Sequence, residues 1–296
     1  MKSWLRRLLG SKPEPPPPPA REIQPLPPLP LPPPPPPPIV HTRLPNFFIP
    51  GAAHSATTSL WQYLRQHPDI YMPPVFDLKE PSHFCTRYKF AMTDWQTYLG
   101  LFAEAKTQRR VGEASTPYLT SPESPAMIKR VIPDARFIIS LRNPADRAYS
   151  LYKWMHQYGF ETLPTFAEGL ETETKERLDC DEFHDNNCQY YYNFLYFNSG
   201  LYYEQVKRFF DTFGRQQVHV IIFEEFIRQP AEHLRQIFTF LDVDPSFVPA
   251  MEVHNQTSRK YGPIDPAARA RLLEQYAPNI RQLEALLGRD LAATWA

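Results

Sequence analysis

The chain has 296 residues, in which 32 lysine and arginine residues balance 32 aspartate and glutamate residues, so the formal net charge is zero. This balance argues against nucleic acid as a partner and against strong attraction to a membrane surface. The sequence also lacks a run of about 18 apolar residues and a signal-peptide pattern, which argues against a membrane-spanning segment.

The N-terminal region differs in composition from the rest of the chain. Residues 13–45 contain proline runs such as Pro15–Pro19 and Pro32–Pro38, which favour polyproline II and predict a disordered linker or a ligand for proline-binding domains. Residues 1–12 form a short basic amphipathic segment, which predicts either weak peripheral membrane contact or a frayed terminus. The folded domain is expected over residues 46–296.

Cysteine and histidine usage gives two further expectations. Cys85, Cys180 and Cys188 are too few and too scattered for a disulfide framework, which favours a reduced, cytoplasmic protein. Cys180 and Cys188 could pair in an oxidising compartment. No CxxC, HExxH or EF-hand pattern is present, so we expect no metal site.

An anion-binding loop is predicted at the start of the folded domain. The apolar run Phe47–Ile49 ends at a proline and Gly51 and leads through small residues to Thr57, a pattern typical of a buried strand, a tight loop and a helix start. Backbone N–H groups of such a loop can close on an anion, helped by the helix dipole. Thr57 stands where a Walker A loop needs lysine, which disfavours an ATP or GTP hydrolase.

Two candidate bases follow on a proline-interrupted segment. Glu80 precedes a proline and is expected on a loop near the carboxyl ends of the strands, where open α/β sheets bind ligands; the alternative is a solvated loop carboxylate. His83 is the second candidate, because an unperturbed imidazole titrates at about pH 6.5. Lone histidines are more often structural.

A second strand and helix predict a second anion site. Phe137–Leu141 is a continuous apolar run of the kind buried on both faces of a sheet, and Arg142 follows its carboxyl end. Asn143 and Pro144 are typical of a helix start, which places Ser150 on that helix. Arg142 and Ser150 could therefore hold a phosphate through a guanidinium and a hydroxyl group.

The remaining sequence continues the alternation of strands and helices. The aromatic residues within 190–197 predict either core packing or a surface that stacks on sugar rings. Further on, a helix closed by Gly214, a buried strand, a helix over Ala231–Leu241 and a long final helix interrupted at Pro278 are expected.

These motifs resemble those of the sulfotransferases that use 3′-phosphoadenosine 5′-phosphosulfate. The loop GAAHSATTSL resembles that family's PKSGTT loop, the strand, arginine, proline and serine spacing resembles its second signature, and the KEP segment is similar to that of its glycan-modifying branch. The resemblance spans about residues 46–295. It implies an α/β fold related to the P-loop kinases, with a central parallel sheet and helices on both faces.

The resemblance also implies a reaction and a set of site residues. A sulfuryl group would pass from 3′-phosphoadenosine 5′-phosphosulfate, without a metal, to an acceptor glycan or small molecule, with a carbohydrate preferred. The loop would hold the 5′-phosphosulfate, a pair of basic residues in a late loop would help to close over the 3′-phosphate, and Glu80 would take the acceptor proton, with His83 second. The implied nucleotide contacts are His54, Ser55, Ala56, Thr57, Thr58, Ser59, Arg142, Ser150, Arg259 and Lys260.

His54 stands where the family has lysine, and this leaves alternative interpretations open. In the first, neighbouring phosphates raise the pKa of His54, and the imidazolium replaces lysine in catalysis. In the second, the protein binds the nucleotide but has lost transfer activity and acts as a binding or scaffold protein. A proline-rich adaptor, whose α/β domain only docks partners, is a third and remoter interpretation.

Overall fold

Five parallel strands form the central sheet of the computed structural model, which describes residues 43–75, 79–173, 177, 183, 189–251 and 262–295. The strands are β1 (Phe47–Gly51), β2 (Ile70–Tyr71), β3 (Arg110–Glu113), β4 (Arg136–Leu141) and β5 (Val218–Ile222). Their order across the sheet is β2-β3-β1-β4-β5. Every pair of neighbouring strands is parallel, as predicted.

Helices of 4 to 22 residues connect and cover these strands. In the described ranges they are α1 (Thr57–Leu64), α2 (Trp95–Gly100), α3 (Pro117–Thr120), α4 (Ser124–Val131), α5 (Pro144–Gln157), α6 (Phe166–Thr172), α7 (Tyr202–Phe213), α8 (Phe223–Arg228), α9 (Pro230–Leu241), α10 (Pro266–Leu287) and α11 (Ala292–Trp295). Short 3₁₀ turns lie at Tyr191–Phe194, Asn198–Gly200 and Arg215–Gln217.

Both faces of the sheet are buried, because successive side chains of each strand point to opposite sides. On one face, Phe47 and Ile49 belong to a cluster with Trp61 of α1. On the other face, Phe48 stacks on Phe137 at a centroid distance of 5.5 Å. The sheet is therefore covered on both sides, which confirms the predicted fold class.

The strand order sets the position of the candidate site. β1 lies between β3 and β4, with Phe47 in register with Gly112 and Arg136. Since the three strands are parallel, the segments that follow Gly51, Glu113 and Leu141 leave the sheet at the same edge. Ligands of open α/β sheets bind at this edge.

The last long helix departs from the sequence prediction. α10 runs through Pro278 without interruption. The adjacent Asn279 accepts a hydrogen bond from the backbone N–H of Tyr203 at 3.1 Å and donates to Glu204 at 2.8 Å. These bonds tie α10 to α7 immediately after the proline, and tertiary packing thus outweighs the local preference of proline to end a helix.

Two other segments can be compared with the sequence predictions. Ile70–Tyr71 forms a short edge strand paired with β3, at the start of the proline-interrupted segment, where the sequence predicts no strand. The aromatic residues from Tyr190 to Phe197 are at most 3% exposed, so they belong to the core and do not form a stacking surface.

Several predictions concern residues outside the described ranges. These are the segment 1–12, the linker up to residue 42, Cys180, Cys188, Arg259 and Lys260. Within the described residues, no helix is both long enough and apolar enough to cross a membrane.

Candidate active site

The loop between β1 and α1 has the backbone of an anion-binding loop. His54 and Ala56 adopt left-handed conformations, with φ of 65° and 62°. Ala56 is the N-cap of α1 and contributes no side-chain cap. Alternating left-handed residues turn successive N–H groups toward one side, and the first N–H groups of α1 lack partners inside the helix. This part of the loop can therefore donate several hydrogen bonds to one anion.

Strand β4 fixes the loop in place. The backbone N–H of Ala52 donates to the carbonyl of Ser140 at 2.7 Å, and the Ser140 hydroxyl donates to the carbonyl of Ser55 at 2.5 Å. Arg142 Nη1 donates to the carbonyl of His54 at 3.1 Å. These bonds engage the Ala52 N–H and the carbonyls of His54 and Ser55, and they hold the loop backbone in place around its remaining N–H groups.

The buried polar atoms of the loop fit a phosphate group. The Ser55 hydroxyl is fully buried and has no hydrogen-bond partner among the described residues. A buried hydroxyl without a partner costs free energy, and a phosphate oxygen would satisfy it. Thr57, Thr58 and Ser59 form the first turn of α1 beside it, where helix N-termini favour anions.

The structure brings Arg142 and Ser150 to the loop, although they come from a different motif. The Ser150 hydroxyl lies 3.3 Å from Nδ1 of His54. The Arg142 guanidinium lies 4.7 Å from the ring centroid of Phe223, and burial lowers the pKa of Arg142. Asn143 caps α5 by accepting bonds from residues 145 and 146, as the sequence predicts, and this cap directs Ser150 toward the loop.

The His54 side chain lies between the loop and the residues that follow β4. Its partly buried ring packs against Trp154 at 5.9 Å. Burial and the positive charges of three neighbouring side chains lower its pKa to about 3. Those side chains, in order of effect, are Arg147, Arg142 and Lys153. In the free protein His54 is therefore neutral near pH 7 and contributes no cation to the loop.

Glu80 lies on the other side of β1. Lys79 Nζ donates to Glu80 Oε1 at 2.7 Å, and the Thr116 hydroxyl donates to Oε2 at 2.8 Å. Thr116 also touches the end of β1, since a Cβ on Gly51 would come within 3.1 Å of the Thr116 carbonyl oxygen and 2.8 Å of Leu119. Gly51 therefore permits a close approach that brings the Glu80 segment to the loop.

A buried carboxyl group beneath Glu80 was missed by the sequence reasoning. Glu113, at the end of β3, is fully buried and accepts hydrogen bonds from Tyr98 and, at 2.6 Å, from Ser115. The Ser115 hydroxyl in turn accepts the N–H of Ser82 at 2.9 Å. Burial raises the pKa of Glu113 to about 7, and the charge of Glu80 adds to this. The signal was the acidic residue that ends an apolar strand in VGEAS.

His83 makes contacts with residues 92–98 and not with the anion-binding loop. Its Nδ1 lies 2.6 Å from the carbonyl of Met92, and its ring stacks on Tyr98 at 4.5 Å and packs near Trp95 at 5.1 Å. Burial lowers its pKa. These contacts fit a structural role, and His83 as a base stays a prediction.

The structure leaves two other predictions without a geometric basis. Arg259 and Lys260 lie outside the described residues, although Tyr149 donates to the carbonyl of Gly262 at 3.3 Å. That bond places Gly262 beside α5. In the part of the chain that the structure describes, no three histidine, cysteine or carboxylate side chains group as metal ligands.

Comparison with known proteins shows the family. The sequence profile of the sulfotransferase family matches residues 45–247. A sulfotransferase from Alicyclobacillus acidocaldarius, known from its crystal structure, is 38% identical with a TM-score of 0.73, and the match covers 85% of this chain and 98% of that chain.

Two curated relatives are more distant. Membrane-associated sulfotransferase kil1 of Dictyostelium discoideum is 22% identical, over 83% of this chain and 66% of its own length. Human carbohydrate sulfotransferase 15 is 25% identical, over 85% of this chain and 54% of its own length. The chain thus spans between about half and two thirds of these relatives. The profile match and the fold shared with a solved member show that this chain belongs to the sulfotransferase family.

Proposed function

We propose that this chain is an enzyme that transfers a sulfuryl group from 3′-phosphoadenosine 5′-phosphosulfate to a hydroxyl or amine of an acceptor. One observation carries the proposal: the loop after β1 meets Arg142 and Ser150 at a single sheet edge. Family membership supports the reaction class, and dependence on this nucleotide is general in the family.

The residues present fit the nucleotide. The N–H groups that begin α1 and the unpartnered Ser55 hydroxyl would hold the 5′-phosphate. Arg142 and Ser150 would hold the 3′-phosphate through charge-assisted and neutral hydrogen bonds. Arg259 and Lys260 remain proposed contacts to that phosphate, on the resemblance of their segment alone.

Glu80 is proposed to take the acceptor proton. In the reaction, the bond between sulfur and the bridging phosphate oxygen breaks, and sulfur bonds to the acceptor oxygen or nitrogen. The products are 3′-phosphoadenosine 5′-phosphate and the sulfated acceptor, while the proton passes to the Glu80 carboxylate. Lys79 and Thr116 hold that carboxylate in one orientation, which favours catalysis by positioning.

The acceptor is proposed to be a carbohydrate. This rests on the name of a relative, carbohydrate sulfotransferase 15, and on the resemblance of the KEP segment to the glycan-modifying branch. Transfer of labelled sulfate to a panel of glycosaminoglycans, simple glycosides and phenols tests it. Activity with phenols alone would contradict a carbohydrate acceptor.

The nucleotide is tested by calorimetry of the full chain with 3′-phosphoadenosine 5′-phosphate. We expect Arg142→Ala to weaken binding by about 2 kcal/mol, the scale of a lost charge-assisted hydrogen bond. Arg136→Ala is the matched control, because Arg136 begins the same strand at the opposite edge of the sheet. Absence of binding by the wild type, or equal loss in both variants, would overturn the proposed nucleotide site.

Two further properties are proposed from the sequence alone. They are a cytoplasmic location and weak contact of residues 1–12 with anionic membranes. Cell fractionation and sedimentation with phosphatidylserine vesicles test them, with a chain lacking residues 1–12 as the control.

A further inference from the structure

The anion-binding loop carries no formal positive charge of its own. His54 occupies the position of the family's lysine, and its neutral ring is held by Ser150 and Trp154. Backbone N–H groups and the dipole of α1 supply only partial charges. Arg142 would serve the 3′-phosphate of the nucleotide, so the 5′-phosphate at the loop would still need a cation close to His54.

Three cations act on His54, and two of them are already engaged. Arg147 is fully buried and donates to the carbonyl of Tyr196 at 2.9 Å and to Ser199 at 2.8 Å. Arg142 donates to the carbonyl of His54 and packs on the ring of Phe223. Lys153, the third cation, makes no hydrogen bond or ion pair with any described residue.

Lys153 lies on α5, close to the residues of that helix that contact His54. It follows Ser150 by three positions and precedes Trp154 by one, and both of those residues contact the His54 ring. Residues three apart on a helix are neighbours on its surface. The Lys153 ammonium lies 4.7 Å from the ring centroid of Tyr149, a weaker contact than an ion pair with a phosphate.

We propose that the Lys153 side chain moves from the Tyr149 ring to the 5′-phosphate bound by the loop beside His54. Lys153 would thus supply the positive charge that the loop lacks. This inference rests on the proposed function. Lysine suits the task because its compact charge sits on a flexible four-carbon stem. Burial and Arg142 lower the pKa of Lys153 in the free protein, and a bound phosphate would oppose both effects.

Calorimetry with 3′-phosphoadenosine 5′-phosphate on the full chain tests the inference. We expect Lys153→Met to weaken binding about tenfold or more, and Lys153→Arg to weaken it less. Adding His54→Lys to Lys153→Met should restore the affinity to within about threefold of the wild type, since the charge returns at the loop itself. Lys207→Met is the control, because Lys207 is paired with Asp211 on the exposed face of α7.

The outcomes separate this inference from the proposed function. Unchanged affinity in Lys153→Met overturns the role of Lys153 and leaves the proposed function standing. A loss that His54→Lys does not restore also overturns it, because it indicates a structural role. Absence of binding by the wild type overturns the proposed function and this inference together. Lys153→Gln replaces Lys153→Met if circular dichroism shows that the latter is misfolded.

Discussion

The Ser150 hydroxyl lies 3.3 Å from Nδ1 of His54 and so joins the helix after β4 to the loop after β1. The two residues belong to motifs that are far apart in the sequence. Because His54 is neutral, this contact links a hydroxyl to an imidazole and carries no formal charge. Phosphate binding on either side of it would alter both partners at once.

The first prediction concerns proton uptake at His54. Its pKa of about 3 in the free protein should rise when phosphates offset Arg147, Arg142 and Lys153. The complex then holds more protons than the free protein, so affinity falls as pH rises through the bound-state pKa. Calorimetry of nucleotide binding from pH 4 upward checks this, because the effect begins above the free-protein pKa of about 3. In His54→Gln the pH dependence of affinity should reflect only the titration of the nucleotide itself. Identical pH profiles for the wild type and His54→Gln would contradict the prediction.

The second prediction separates binding from transfer. Glu80→Gln should lower kcat by about 100-fold or more, the scale of general base catalysis, while nucleotide affinity changes less than about threefold. The amide cannot accept the acceptor proton, yet it can still accept the bond from Thr116. Glu232→Gln, on the exposed face of α9, is the control. An equal loss of binding and turnover would argue that Glu80 only supports the loop.

The third prediction concerns pH and stability at Glu113. Burial raises its pKa from 4.5 to about 7, so the folded state holds a proton that the unfolded state has released. The free energy of unfolding should therefore fall as pH rises through this range, by roughly 3 kcal/mol. Denaturant melts should show a flatter profile for Glu113→Gln. The exposed Glu104→Gln should keep the wild-type slope, and an unaltered slope in Glu113→Gln would refute the assignment.

The fourth prediction concerns the loop backbone. Ala56 has φ of 62°, which costs a residue with a Cβ about 1–2 kcal/mol. Ala56→Gly removes this cost and should raise the free energy of unfolding by about 0.5–1 kcal/mol, after the entropy of glycine is counted. Ala53→Gly is the control, since Ala53 does not share this conformation, and it should destabilise the protein slightly. If both variants were less stable than the wild type, the left-handed conformation of Ala56 would be contradicted.

Sequence patterns predicted the parts of the fold that depend on local chemistry. Phe137–Leu141 was recognisable as a doubly buried strand, and Asn143 with Pro144 as a helix start, because burial and capping leave direct traces in residue type. Pro278 shows where this reasoning fails. Its helix persists through bonds that Asn279 makes to a different helix, and such partners are distant in sequence.

The candidate site was predicted in part for the same reason. His54, Arg142 and Ser150 could be named from two motifs, but the pairing of Ser150 with His54 required the fold. Glu113 was missed because its significance comes from burial against Tyr98 and Ser115. A lone carboxylate at a strand end carries no sign of that environment in the sequence.

The central place of β1 in the sheet has a consequence for synthesis of the chain. Its partners, β3 and β4, both come later in the sequence. As the chain emerges from the ribosome, Phe47, Phe48 and Ile49 are made before both partner strands, so β1 lacks its neighbours in the sheet until β4 has followed. Such non-local pairing is slow and leaves apolar segments open to aggregation. A chaperone that shields the nascent FFI segment should therefore raise the yield of folded protein.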